Sequence, residues 1–172
     1  MKKDPKLLER RMRGGPTAEK EIAQKIIMLL VSLAFLGLLV LAGLDHRFGW
    51  SRMPSSVALG GDLLVVLGWL AILRVFKENT FTSATIELAP DQTVISTGPY
   101  ALVRHPMYAG GLVMLVGMPI ALGSWWGLLL VVAMIPVLIW RLLDEEGFLA
   151  RNLPGYVEYT NKVRYRLLPH VW

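Results

Sequence analysis

Residues Ile26–Leu44 form nineteen consecutive positions without a charged side chain. At about 1.5 Å of rise per residue, a helix of that length nearly crosses a hydrocarbon core of about 30 Å. Inside such a core every backbone N–H and C=O must be satisfied within the chain, which restricts spanning segments to helices and closed barrels. Further apolar stretches follow at about 57–76, 107–122 and 125–150, the last two joined only by Gly123-Ser124. So short a joint makes the third and fourth stretches an antiparallel hairpin. Pro119 and Pro136 sit inside them, which membrane helices tolerate, usually with a kink. The fold class that follows is all-α: a polytopic membrane helical bundle of about four transmembrane helices with a C-terminal helix.

Composition narrows the function classes. Charged residues make up 18% of the 172-residue chain, below the roughly one quarter of soluble domains, and the mean hydropathy is +0.49. There is no cysteine, which removes disulfides, thiolate metal sites and cysteine nucleophiles. His46, His105 and His170 are far apart and lack metal-ligand spacing, so no metal site is expected. The net charge of +5 gathers at one end, where residues 1–25 carry eight Lys/Arg against four acids. Beside an apolar run this reads as a basic cytoplasmic flank held by anionic membrane lipid, with no nucleic-acid partner. The remainder, 26–172, reads as a single membrane domain.

The same charge bias orients the bundle. With residues 1–25 inside, the 45–56 connection lies outside, 77–106 returns inside, Gly123-Ser124 lies outside, and the tail from Asp144, with Arg151, Lys162, Arg164 and Arg166, is inside. Both termini are then cytoplasmic. Trp50, Trp125 and Trp126 fall at the outer boundaries, as an interfacial aromatic belt does.

Two polar segments meet on the inner face. The first, DQTVISTGPYALVRHPMY at 91–108, ends in His105-Pro106. Pro106 suits the first position of a helix, and the free N–H groups of that helix start favour an anion. Arg104, His105 and Tyr108 each have a plain reading as headgroup contact, helix cap or interfacial aromatic. The second segment is RLLDEEGFLARNLPGYVEY at 141–159, where Arg141 and Glu145 share a helix face. Its plain reading is a solvated helix end with a local ion pair. The hairpin brings His105 and Tyr108 towards Arg141, Glu145 and Glu146, a set suited to a zwitterionic ligand. Gly110-Gly111, Gly117 and Gly123 leave a small-residue face that admits either a neighbouring helix or a ligand.

These residues carry a family resemblance. FKENTFTSATIE at 76–87, STGPYALVRHPMYAGG at 96–111 and RLLDEEGFLARNLPGYVEYTNKVRYRLLP at 141–169 resemble the isoprenylcysteine carboxyl methyltransferase family, related to the phospholipid N-methyltransferases. The R-H-P-x-Y-x-G motif with an E-E pair one hairpin downstream is specific in combination. Pro154 departs from the aromatic residue usual before the glycine, in a connecting turn.

The resemblance implies S-adenosylmethionine as methyl donor at a cytoplasmic cofactor site, with S-adenosylhomocysteine as product. By position, Arg104, His105, Tyr108, Gly110 and Glu145 would bind the cofactor. Arg141 and Glu146 would be the catalytic pair near the acceptor, a lipophilic small molecule or lipidated substrate. A carboxylate acceptor needs a cation such as Arg141, through a two-point contact, and no base. An amine acceptor needs a base such as Glu146. Some sterol reductases share R-H-P-x-Y, which keeps a nicotinamide-dependent reading and a non-catalytic scaffold as alternatives.

Overall fold

The computed structural model describes residues 12, 14–19, 21–89 and 91–172, so much of the expected basic flank lies outside the described residues. Among the described residues five α-helices follow in order: α1 (Ile22–Phe48), α2 (Ser55–Glu78), α3 (Pro106–Ala121), α4 (Trp125–Asn152) and α5 (Tyr156–Lys162). A short 3-10 helix at Gly98–Ala101 precedes α3, and no strand occurs among the described residues. Helices α1, α2 and α4 are long and apolar enough to cross a membrane; α3, with 16 residues, is a shorter apolar helix. The bundle is a helical membrane fold, with outward leucines such as Leu33, Leu63 and Leu129 exposed where lipid would cover them.

Local chemistry sets the helix ends. Pro106 occupies the first turn of α3, after His105 in non-helical geometry, because a proline there forfeits no intrahelical hydrogen bond. Ser124 caps α4 by accepting from the Gly127 N–H at 3.1 Å, which satisfies one of the orphan donors of the helix start. Gly123 turns the chain with φ of 73°, a left-handed conformation costly for a residue with a Cβ.

The tightest packing joins α2 to α3, followed by α1 to α4; the α3–α4 hairpin partners touch less. The α2–α3 seam is made of glycines. A Cβ on Gly61 would lie 2.3 Å from the Ala121 nitrogen, and one on Gly68 would lie 2.7 Å from the Gly110 carbonyl oxygen. Gly110 and Gly117 face back onto Gly68 and Gly61. Small residues at seven-residue intervals on both helices let the backbones approach closely, which is how helices bind one another without a hydrophobic driving force in lipid.

At the end where α1 stops, Asp45 is 1% exposed. Its Oδ1 accepts from the Ser51 N–H at 2.6 Å and its Oδ2 from the Ser51 hydroxyl at 2.7 Å. The Ser124 hydroxyl also donates to Oδ2, and the Trp125 N–H donates to the Ser51 Oγ at 3.1 Å. This cluster ties α1, the α1–α2 connection and the α3–α4 turn together. At the other end of the bundle lie the starts of α1 and α3, the ends of α2 and α4, and α5.

Candidate active site

A cavity of about 420 Å³ opens at that second end, within the range of about 300–1,000 Å³ usual for small-molecule sites. His105 and Tyr108 reach it from the start of α3, and Arg141 and Glu145 from the end of α4. Residues 81–87 and 92–95, between α2 and α3, form one wall. Met28 and Val31 of α1 and Leu138 of α4 carry the lining into the apolar part of the bundle.

Within this end the polar groups form three sets. In the first, the Tyr108 hydroxyl donates to Glu145 Oε2 at 2.7 Å, which fixes a carboxylate in the cavity wall. The Arg141 guanidinium is near enough to feel both groups electrostatically.

The second set surrounds Glu146. Its Oε1 accepts from Arg104 Nη1 at 3.0 Å and pairs with His105 Nε2 at 3.2 Å, while its Oε2 accepts from Arg166 Nε at 2.8 Å. Arg104 also donates from Nε to the Val163 carbonyl at 2.7 Å and from Nη2 to the Arg164 carbonyl at 3.0 Å. The backbone joins in, because the Arg104 and His105 N–H groups donate to the Tyr165 and Arg166 carbonyls, both at 2.9 Å. The C-terminal stretch is thereby pinned under the start of α3. His105 is left with its ring edge-on to Tyr108, centroids 5.7 Å apart.

The third set holds Arg141, 7% exposed. Its Nη1 donates to Gln24 Oε1 at 2.6 Å; its Nη2 donates to Glu19 Oε1 at 2.7 Å and to the Ala84 carbonyl at 3.1 Å. A buried guanidinium needs such a counter-charge and such acceptors, since removing an ion from water costs several kcal/mol.

Around these sets α5 supplies aromatic surface. The Tyr159 hydroxyl donates to the Tyr100 carbonyl at 2.8 Å, and Asn79 Nδ2 donates to the Tyr100 hydroxyl at 3.0 Å. Tyr156 lines the cavity and is 5% exposed, and its hydroxyl has no hydrogen-bond partner among the described residues. Burial, reinforced by the Glu146 and Glu145 carboxylates, pushes that hydroxyl above the usual tyrosine range, so it stays a neutral donor.

Residues 56–154 match the profile of a family described as phospholipid methyltransferase. The chain belongs to that family, which covers the isoprenylcysteine carboxyl methyltransferase-like membrane enzymes. The matched segment contains α2, α3, α4 and the loop that walls the cavity. The chain is also similar to the cobalt-zinc-cadmium resistance protein CzcN of Cupriavidus metallidurans. They are 29% identical over 121 residues, which is 67% of this chain and 53% of that protein. The chain thus spans about half the length of this relative. Among the described residues no group of three or more His, Asp or Glu is arranged to hold a metal ion.

Against the residues singled out from sequence, the structure brings Arg104, His105, Tyr108, Arg141 and Glu145 onto one cavity. Gly110 is elsewhere: it faces Gly68, Ala71 and Ile72 in the α2–α3 seam, where a close helix contact and not a ligand requires a glycine. Glu146 is absent from the cavity lining and pairs with Arg104, not with Arg141. Both terminal nitrogens of Arg141, expected to make a two-point contact with an acceptor, also make bonds within the chain. Sequence reading missed Glu19, Gln24 and Tyr156. The first two lay in what read as a basic flank, and only the spacing of Tyr156 from Tyr159 marked the third.

Proposed function

We propose that the protein transfers a methyl group from S-adenosylmethionine to the carboxylate of a lipophilic acceptor, of the isoprenylcysteine type or similar. The observation that carries this reading is the cavity itself. Its one end is walled by Tyr108, Glu145, Arg141 and the α5 tyrosines, and its other end by Met28, Val31 and Leu138. A soluble cofactor and an apolar acceptor need such a two-ended site.

The residues present fit the cofactor. The unpartnered Tyr156 hydroxyl costs about 1–3 kcal/mol while buried alone, and a ligand acceptor atom would relieve that cost. Glu145 would accept from the hydroxyl or amino groups of S-adenosylmethionine, with Tyr108 keeping the carboxylate in place. His105 and Arg104 would hold their positions through Glu146. When bound, S-adenosylmethionine supplies a methyl group on a positively charged sulfur.

A carboxylate acceptor is already ionised near neutral pH, with a reference pKa of about 4, so the protein's task is orientation and exclusion of water. Arg141 supplies positive charge beside the cavity. Glu146, engaged by two guanidinium groups and His105, is a holder of Arg104 and His105 and a poor base. That favours a reaction needing no base. Methylation of a phospholipid amine is the second reading. It is supported by the family description and by Glu145, a carboxylate in the cavity wall able to take a proton.

The first test is calorimetric titration of the purified chain with S-adenosylhomocysteine and, separately, NADPH. Saturable binding of the former alone is expected; binding of NADPH alone would overturn the proposal. The second is incubation with tritiated S-adenosylmethionine and a membrane lipid extract. Methyl esters release tritiated methanol in base and N-methyl groups do not, so base-stable label would favour the amine reading.

A further inference from the structure

The family-matching segment begins at residue 56, yet two of the most buried polar side chains around the cavity precede it. Glu19 has a side chain 2% exposed and pairs with Arg141 at 2.7 Å. Gln24, in the first turn of α1, is 2% exposed and accepts from Arg141 at 2.6 Å. Both are themselves fixed. Glu19 Oε2 accepts from the Ile86 N–H at 3.3 Å, and the Gln24 side-chain amide donates to Asp144 Oδ2. Asp144 lies three residues after Arg141 on α4, so Gln24 bridges two positions on one helix face.

We propose that Glu19 and Gln24 are positioning residues for methyl transfer, which set the guanidinium of Arg141 towards the acceptor carboxylate. This rests on the carboxyl-methylation reading above. A free arginine side chain loses rotamer entropy when it is immobilised. Here that ordering is completed before any acceptor arrives, because Nη1 and Nη2 are held by three acceptors from the N-terminal segment and the 81–87 wall. Pre-organisation of this kind improves binding without adding a contact to the ligand. Glu19 also joins the wall to α4: it takes a hydrogen bond from Ile86, while Arg141 takes the neighbouring Ala84 carbonyl. The segment before α1 thus helps shape the cavity as well as its charge. It contributes residues that lie ahead of the family-matching segment.

The test uses the full chain in phosphatidylcholine nanodiscs, tritiated S-adenosylmethionine, and the lipid-extract fraction that yields base-labile methyl groups with the unmodified protein. Glu19→Ala and Gln24→Ala are each expected to raise the half-saturating amount of that fraction about tenfold, the loss of about one well-placed contact. Affinity for S-adenosylhomocysteine should stay within about twofold, which also reports that the variants are folded. Glu19→Gln keeps one acceptor oxygen for Arg141 but turns its NH2 group towards the Ile86 N–H and removes the counter-charge, so it should recover only part of the effect. An unchanged half-saturation in the folded variants overturns the inference. An equal loss for S-adenosylhomocysteine also overturns it, by showing general collapse of the cavity. A fall in half-saturation overturns it by showing that Glu19 competes with the acceptor. If no fraction yields base-labile label with the unmodified protein, the carboxyl reading itself fails and this inference fails with it; unchanged half-saturation leaves that reading standing.

Discussion

At the end of the bundle where α1 stops, Asp45 is surrounded by Ser51 and Ser124, and every described contact it makes is to a neighbour in the fold. At the end where α1 begins, Glu145, Arg104 and Arg141 are also buried or half-buried, but they line a cavity of about 420 Å³, as does Tyr156, whose hydroxyl has no partner among the described residues. Both ends bear the cost of burying polar groups. The Asp45 end recovers it by tying three elements together; the cavity end leaves the Tyr156 hydroxyl uncompensated among the described residues, which the proposed cofactor would satisfy. Buried charge alone therefore does not distinguish structure from chemistry in this bundle. The incomplete hydrogen bonding does.

That contrast can be broken most directly at Glu145. Replacement by alanine should lower kcat/KM for methyl transfer between about 100- and 1,000-fold, the range seen when a preorganised polar group is removed from a reacting site. Thermal unfolding should shift less than when the three donors around Asp45 are stranded, because only the Tyr108 hydroxyl loses its partner. A large loss of stability with intact turnover would place Glu145 with Asp45 on the structural side.

Asp45→Ala should do the reverse. It strands the Ser51 and Ser124 hydroxyls and the Ser51 N–H, at about 1–3 kcal/mol for a buried donor left alone, for a total of about 3 kcal/mol. Reversible unfolding in bicelles would measure this. Turnover per folded molecule should be unchanged, since the site is at the far end of α1.

The smallest and sharpest effect is expected at Tyr156. Tyr156→Phe removes a hydroxyl that the fold leaves unsatisfied, so stability should hold or rise by up to about 1 kcal/mol. Affinity for S-adenosylhomocysteine should fall about fivefold, one hydrogen bond's worth. Because burial and the nearby carboxylates raise the hydroxyl's pKa above the ordinary value, it remains protonated as pH rises towards the reference of about 10. Wild-type affinity should therefore show no Tyr156-dependent fall below that pH. A parallel loss of stability and affinity in Tyr156→Phe would mean that the hydroxyl has a partner in the folded chain.

How much of this was legible in the sequence depends on range. The apolar runs and Pro106 reveal where helices lie, because length and a missing N–H act locally: α3 begins at Pro106, and α1 extends four residues further at each end than the uncharged run that announces it. The convergence of His105, Tyr108, Arg141 and Glu145 was also readable, since a two-residue joint leaves the hairpin ends no choice but to meet. Helix pairing was not. The hairpin says that α3 and α4 are neighbours but not which helix α3 packs on most, and the Gly61/Gly68 and Gly110/Gly117 pairs favour α2; matching seven-residue glycine spacings on both helices were the available signal. Glu19 and Gln24 left no local pattern at all. An acid among lysines and arginines reads as a solvated flank, and its partner is more than a hundred residues away in the chain.

Residues 56–154 are the stretch by which this family is recognised, and α1 lies wholly before it. Yet α1 brings Asp45 to one end, Gln24 to the other, and Met28 and Val31 to the cavity wall. A protein trimmed to its recognisable portion would leave Arg141 without its Glu19 and Gln24 partners, and α4 without the helix it packs on most. The length needed to be identified and the length needed to stand up in a bilayer are different quantities, and a fusion or deletion placed just ahead of residue 26 would fall between them.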